Sequence, residues 1–98
     1  MTINKKENGT GLELALAGRL DTTTAPQLEA DLKHSLDGVT ALVLDFEELE
    51  YLSSAGLRVL LAAQKVMNKQ GSMVVRHVNE TIMEVFEITG FADILTIE

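Results

Sequence analysis

The sequence contains no cysteine and no tryptophan, a single proline, and fewer basic than acidic residues. Without cysteine there are no disulfides, no thiolate metal sites and no cysteine nucleophile. Aromatic residues make up 4% of the 98 positions, too few for the stacking platforms that hold single-stranded nucleic acid. Lys and Arg number 8 against 15 Asp and Glu, a formal net charge of −7. That balance repels a phosphate backbone, so no nucleic-acid partner is expected, and a basic protein surface fits better. No apolar run approaches the length of a membrane span. The first residues, Met1-Thr2-Ile3-Asn4-Lys5-Lys6, lack the apolar core of a secretory signal. A soluble cytoplasmic protein with no membrane partner is the expectation.

What is present points to a globular chain. Hydrophobic residues make up 46% and charged residues 23%, a composition able to build a core. The length suits a single domain over residues 1–98. A chain of this size buries roughly two-thirds of the surface its unfolded form exposes.

Hydrophobic periodicity places the elements. Thr2–Lys6 alternates weakly, as an edge strand does, and Asn8-Gly9-Thr10-Gly11 is a turn. Leu12–Ala17 alternates with period two, which predicts a strand paired with the first in a hairpin and ended by Gly18. Leu28, Leu32 and Leu36 recur every four residues, which predicts an amphipathic helix over Ala25–Leu36, with Thr24 as N-cap and Pro26 in the first turn.

Val39–Phe46 reads as a strand buried on both faces, as parallel strands are. Glu47–Leu52 reads as an acidic connector. A second helix follows, capped by Ser53 or Ser54 and ended by Gly71. Ser72–Val78 reads as the next buried strand, and Asn79 caps a third helix that Gly90 ends. The apolar stretch Ile94-Leu95-Thr96-Ile97 reads as a last strand. The fold class is α/β, a small and mostly parallel mixed sheet opened by an N-terminal hairpin, in the order β-β-α-β-α-β-α-β.

One segment carries chemistry. In Leu52-Ser53-Ser54-Ala55-Gly56-Leu57, two hydroxyls and a glycine stand where a helix begins. A helix N-terminus offers unsatisfied N–H groups and about half a positive charge, so an anion there, such as a phosphate on Ser54, is stabilised. Helix capping alone accounts for the same two serines. A serine hydrolase does not fit. The G-x-S-x-G elbow lacks its first glycine at Leu52, and shifting it to Ser53 meets Tyr51 and Ala55. The two histidines, His34 and His77, sit on a polar helix face and at a strand end. There is no P-loop, and Gly9-Thr10-Gly11 lacks the third glycine of a dinucleotide site. Asp45, Glu47, Glu48 and Glu50 lack calcium-loop spacing and read as a solvated acidic segment. No enzyme activity, metal or cofactor is expected.

Three stretches, in order and spacing, resemble a known family over nearly the whole chain. They are Gly18-Arg19-Leu20-Asp21, the run from Leu44-Asp45-Phe46 through Tyr51-Leu52-Ser53-Ser54-Ala55-Gly56-Leu57, and Phe86-Glu87-Ile88-Thr89-Gly90-Phe91. The chain resembles a STAS domain of the bacterial anti-sigma factor antagonist type. The resemblance implies a regulator of transcription that binds an anti-sigma factor, itself a serine kinase, and so frees the sigma factor. Phosphorylation of a serine at the start of the second helix ends that binding, and a metal-dependent serine phosphatase restores it.

By motif position the acceptor is Ser54, with Ser53 a minor alternative. The implied partner face takes in Asp21, Thr22, Thr23 and Thr24 from one loop. From the start of the second helix it takes Ser53, Ser54, Ala55, Gly56, Leu57 and Arg58. Asp21, carried over as a neighbour of the acceptor, would repel the phosphate. Two positions depart from the family pattern of Asp-Ser-Ser-Gly or Asp-Ser-Thr-Gly. Ser53 stands where Asp is usual, and Ala55 stands where a hydroxyl is usual. Many members carry a further helix after the last strand, which this sequence is expected to lack or shorten. An unphosphorylated scaffold or accessory subunit of the same fold is the alternative.

Overall fold

The computed structural model describes residues 1–98. Strands β1 (Thr2–Asn8) and β2 (Gly11–Leu20) form the expected antiparallel hairpin. Helix α1 (Ala25–Ser35) leads to β3 (Ala41–Leu52), and helix α2 (Ser54–Gln70) leads to β4 (Ser72–Arg76). Helices α3 (Glu80–Thr89) and α4 (Phe91–Ile94) complete the chain. The sheet order is β1-β2-β3-β4, with β3 parallel to both neighbours.

The sheet is buried on one face only, not on both. Leu12, Leu14 and Leu16 of β2, Leu42, Leu44 and Phe46 of β3, and Met73 and Val75 of β4 are buried. The alternating residues Glu13, Ala15, Val43, Asp45, Val74 and Arg76 are only half-buried. The helices supply the other half of the core through Leu28, Leu32, Leu60, Met67, Ile82 and Phe86, and Phe86 meets Phe46 with ring centroids 6.4 Å apart. With every helix on one side, the opposite face needs no apolar cover, and period-two alternation survives even in parallel strands.

Three further elements differ from the sequence expectation. The acidic stretch Glu47–Leu52 is strand, the second half of β3. The β2–β3 register slips twice, between Ala15 and Ala17 and between Gly18 and Arg19. Each slip places an extra residue on β3, so Phe46, Leu49 and Leu52 are buried at a spacing of three instead of two. Strand β2 likewise continues past Gly18, which takes φ +98° at the second irregularity. At the C-terminus the expected strand is reduced to helix α4 and one parallel bridge, Ile97 to Val75. In that bridge Val75 N–H donates to Thr96 O and Glu98 N–H donates to Val75 O, both at 2.9 Å.

Close packing explains one glycine between α2 and β4. A Cβ on Gly71 would lie 1.8 Å from the carbonyl oxygen of Thr40, which already accepts the Ser72 N–H at 2.9 Å. Asn79 caps α3 as expected: its Oδ1 accepts from Ile82 N–H at 2.8 Å, while its Nδ2 donates to Leu49 O at 3.1 Å. One residue therefore ties α3 to the distal half of β3.

Candidate functional site

The C-terminal ends of β2 and β3 fix the start of α2. Leu20 and Leu52 are paired in register and buried, and Ser53 N–H donates to Leu20 O at 2.9 Å. Gly56 permits the next close approach: a Cβ there would lie 2.7 Å from Leu20 Cγ and from Leu52 Cδ1. Leu57, Leu60 and Met67 then carry the helix into the core. These contacts leave Ser54 exposed as the first residue of α2.

Ser53 occupies the N-cap position with extended backbone (φ −98°, ψ 175°), yet its hydroxyl makes no capping bond. Its Oγ is buried without a partner. The expected side-chain cap is therefore absent: the hydroxyl is buried and bonds to nothing in the chain. The first backbone bond of the turn runs from Leu57 N–H to Ser53 O at 3.0 Å. The N–H groups of Ser54, Ala55 and Gly56 find no acceptor in the chain, and the first turn contains no acidic residue. This end of α2 thus combines free donors with the positive pole of a 17-residue helix.

Asp21 organises the neighbouring loop. Its Oδ1 accepts from the N–H groups of Thr23 at 3.0 Å and Thr24 at 3.1 Å, and from the hydroxyl of Thr23 at 2.8 Å. The Thr23 hydroxyl bond, joined by the Thr24 and Thr23 amides and opposed by burial, lowers the Asp21 carboxyl from 3.8 to about 2. Thr24 sits at the N-cap of α1 as expected but does not cap it with its side chain. Its hydroxyl instead donates to Arg19 O at 2.8 Å and accepts from Asp21 N–H at 2.8 Å.

The sequence-predicted face assembles in part. Thr22 of the loop, Ala25 and Pro26 of α1, and Ala55 and Arg58 of α2 line one shallow depression of about 180 Å³. Thr22, Thr23, Ser54 and Arg58 are exposed, and Asp21, Thr24, Ser53 and Ala55 are half-buried. Gly56 and Leu57 are buried; they hold the helix in place and present no side chain to a partner.

Sequence reasoning missed two clusters, both made by cross-strand register. Arg19 and Tyr51 are register partners, with the guanidinium carbon 4.2 Å from the ring centroid and Arg19 Nε 3.6 Å from Asp21 Oδ2. On the rim beyond β4, His77 Nδ1 lies 2.9 Å from Asp45 Oδ1 and 4.0 Å from Glu47 Oε2. Burial raises the Asp45 pKa, but hydrogen bonds from Glu47 N–H and His77 outweigh it and hold the carboxyl below its ordinary value. His77 adopts φ +59° in the turn before α3, a conformation costly for a non-glycine residue. His34 is exposed on α1.

The family model described as Mlab, STAS domain matches residues 3–96. BtrV of Bordetella bronchiseptica, provisionally named an anti-sigma factor antagonist, is 43% identical over 84 residues, covering 84% of this chain and 72% of its own. The anti-sigma-B factor antagonist of Bacillus subtilis is 29% identical over 98 residues, covering 99% and 90%. The structure of the Bacillus cell fate determinant SpoIIAA in its phosphorylated form superposes with a TM-score of 0.77 at 19% identity, covering 99% of this chain and 91% of that one. A match across 3–96 together with the shared sheet and helices is decisive: the chain belongs to the STAS domain family, as the sequence resemblance implied.

Proposed function

We propose that this chain is an anti-sigma factor antagonist, a cytoplasmic binding module and not an enzyme. In its unmodified state it captures an anti-sigma factor that is a serine kinase, and so releases the sigma factor. Phosphorylation of Ser54 by that kinase ends the capture, and a metal-dependent serine phosphatase restores it. The observation that carries this reading is the exposed Ser54 at the head of α2, beside three backbone N–H groups with no acceptor in the chain. The names of the relatives supply the partner class. SpoIIAA, solved in a phosphorylated form, keeps the same fold.

The switch works through charge. Phosphate adds about −1.5 to −2 charges. The free N–H groups and dipole of α2 accommodate it within the chain. A partner packed over Ser54 meets a desolvated dianion beside the fixed carboxylate of Asp21, in a chain already at −7. A loss of about 3 kcal/mol weakens binding more than a hundredfold. The buried Oγ of Ser53 favours Ser54 over it as the acceptor.

The alternative, an unphosphorylated scaffold, draws on Ser53 standing where the family usually has Asp. Incubation with the cognate kinase and ATP, followed by intact-mass measurement, separates the two. One phosphoryl group on the wild type and none on Ser54→Ala supports the switch. No incorporation supports the scaffold.

A further inference from the structure

Four large apolar side chains are exposed: Tyr51, Val66, Ile88 and Ile94. Only Tyr51 is held by a charged neighbour. The Arg19 guanidinium stacks on its ring at 4.2 Å and faces Asp21 Oδ2 through Nε at 3.6 Å. The Arg19 side chain is nevertheless 59% exposed, and its terminal N–H groups have no acceptor in the chain. Tyr51 is 40% exposed. The pair is thus fixed on one side by a ring and on the other by a carboxylate, with its remaining edge turned to solvent.

Its place in the fold matters. Arg19 and Tyr51 each precede a buried residue, Leu20 and Leu52, on the helix-covered face. Side chains alternate along a strand, so the pair projects to the uncovered face of the sheet. Along the chain, Asp21 follows Arg19 by two residues and Ser54 follows Tyr51 by three. The pair and the head of α2 therefore share the C-terminal end of the sheet, one on each side of the strand ends.

We propose that Arg19 and Tyr51 anchor the anti-sigma factor, and that its footprint runs from Ser54 over the strand ends onto the uncovered sheet face. The complementary surface sets a carboxylate against the free edge of the Arg19 guanidinium and an apolar side chain against the Tyr51 ring. Arginine and tyrosine dominate interface hot spots because they bury large area at little entropic cost, and a guanidinium already oriented by stacking and an ion pair loses less freedom on binding. The inference rests on reading Ser54 as the switch of this same interface.

The test is titration of the purified cognate anti-sigma factor with the wild type, Arg19→Ala, Tyr51→Ala and Ser54→Asp. Tyr51→Thr is included because a β-branched residue keeps the strand preference, and urea unfolding checks each variant. Expected is a loss of roughly 30-fold or more for the Arg19 and Tyr51 variants, with unfolding midpoints close to wild type for Arg19→Ala and Tyr51→Thr. If Ser54→Asp abolishes binding while Arg19→Ala and Tyr51→Thr bind within threefold of wild type, the anchor is refuted and the switch stands. If the Arg19 and Tyr51 variants lose binding while Ser54→Asp binds as wild type does, the anchor stands and the switch is refuted. If the wild type does not bind, both are overturned.

Discussion

Replacing Ser54 with aspartate should leave the fold as stable as before or slightly more so. The carboxylate would enter the first turn of α2, which has no acidic residue and three N–H groups without an acceptor. An acidic side chain at such a position contributes about 0.3–1 kcal/mol at low ionic strength. The opposing effect is repulsion from Asp21, which stays ionised at neutral pH. Two unit charges 4 Å apart in a water-like medium interact by only about 1 kcal/mol, and Arg19 Nε at 3.6 Å already offsets the Asp21 charge. With Arg19 cancelling most of that repulsion, the net change runs from near zero to a gain of about 1 kcal/mol. With a urea m-value of about 1–1.5 kcal/mol/M for a chain of this size, the midpoint should hold level or rise by up to about 1 M. The gain should shrink in about 1 M salt, where the Debye length falls to about 3 Å. A midpoint lowered by half a molar or more would show that the head of α2 does not accept negative charge, and the phosphate seat would be lost with it.

Other perturbations follow from the same contacts. Gly56→Ala forces a methyl to 2.7 Å from Leu20 and Leu52. Overpacking of about 1–3 kcal/mol, set against about 1 kcal/mol of helix propensity, leaves a net loss near 1 kcal/mol in urea unfolding; a more stable variant would contradict this. Gly71→Ala places its methyl 1.8 Å from the Thr40 carbonyl and should cost more than Gly56→Ala by the same assay. Asn79→Ala removes the α3 cap and the bond to Leu49 O, an expected loss of about 1–2 kcal/mol.

The Asp21 carboxyl, lowered from 3.8 to about 2, stabilises the fold above its ordinary value. That contribution drains away as pH falls from about 4 towards 2. Asp21→Asn should therefore flatten the stability profile in that window and lower its plateau above pH 5, where the slope stays unchanged.

The parts of the fold set by local periodicity were legible in the sequence. The β1–β2 hairpin, the leucine stripe of α1, and the asparagine and glycine that bracket α3 each follow from residues close in the chain. The distal half of β3 was not, because two bulges shift its buried residues from every second to every third position, which erases the strand pattern. One-sided burial was equally hidden: Val39–Phe46 is apolar enough for a doubly covered strand, and only the placement of all helices on one face exposes Val43. The terminal Ile94–Ile97 stretch satisfies the core through Leu95 and keeps a single bridge. Within the site, Ser54 and Asp21 were recognisable from motif position. The buried Ser53 hydroxyl and the Arg19–Tyr51 stack were not, since both depend on which β2 residue faces which β3 residue.

The central claim is that a phosphate on Ser54 stops partner binding by its charge while the fold persists. The most direct measurement is the affinity of the cognate anti-sigma factor for the enzymatically phosphorylated and the unmodified chain, with circular dichroism recorded on both. A hundredfold or greater loss of affinity with superimposable spectra is the predicted result; equal affinities, or lost binding accompanied by an unfolded spectrum, would contradict it.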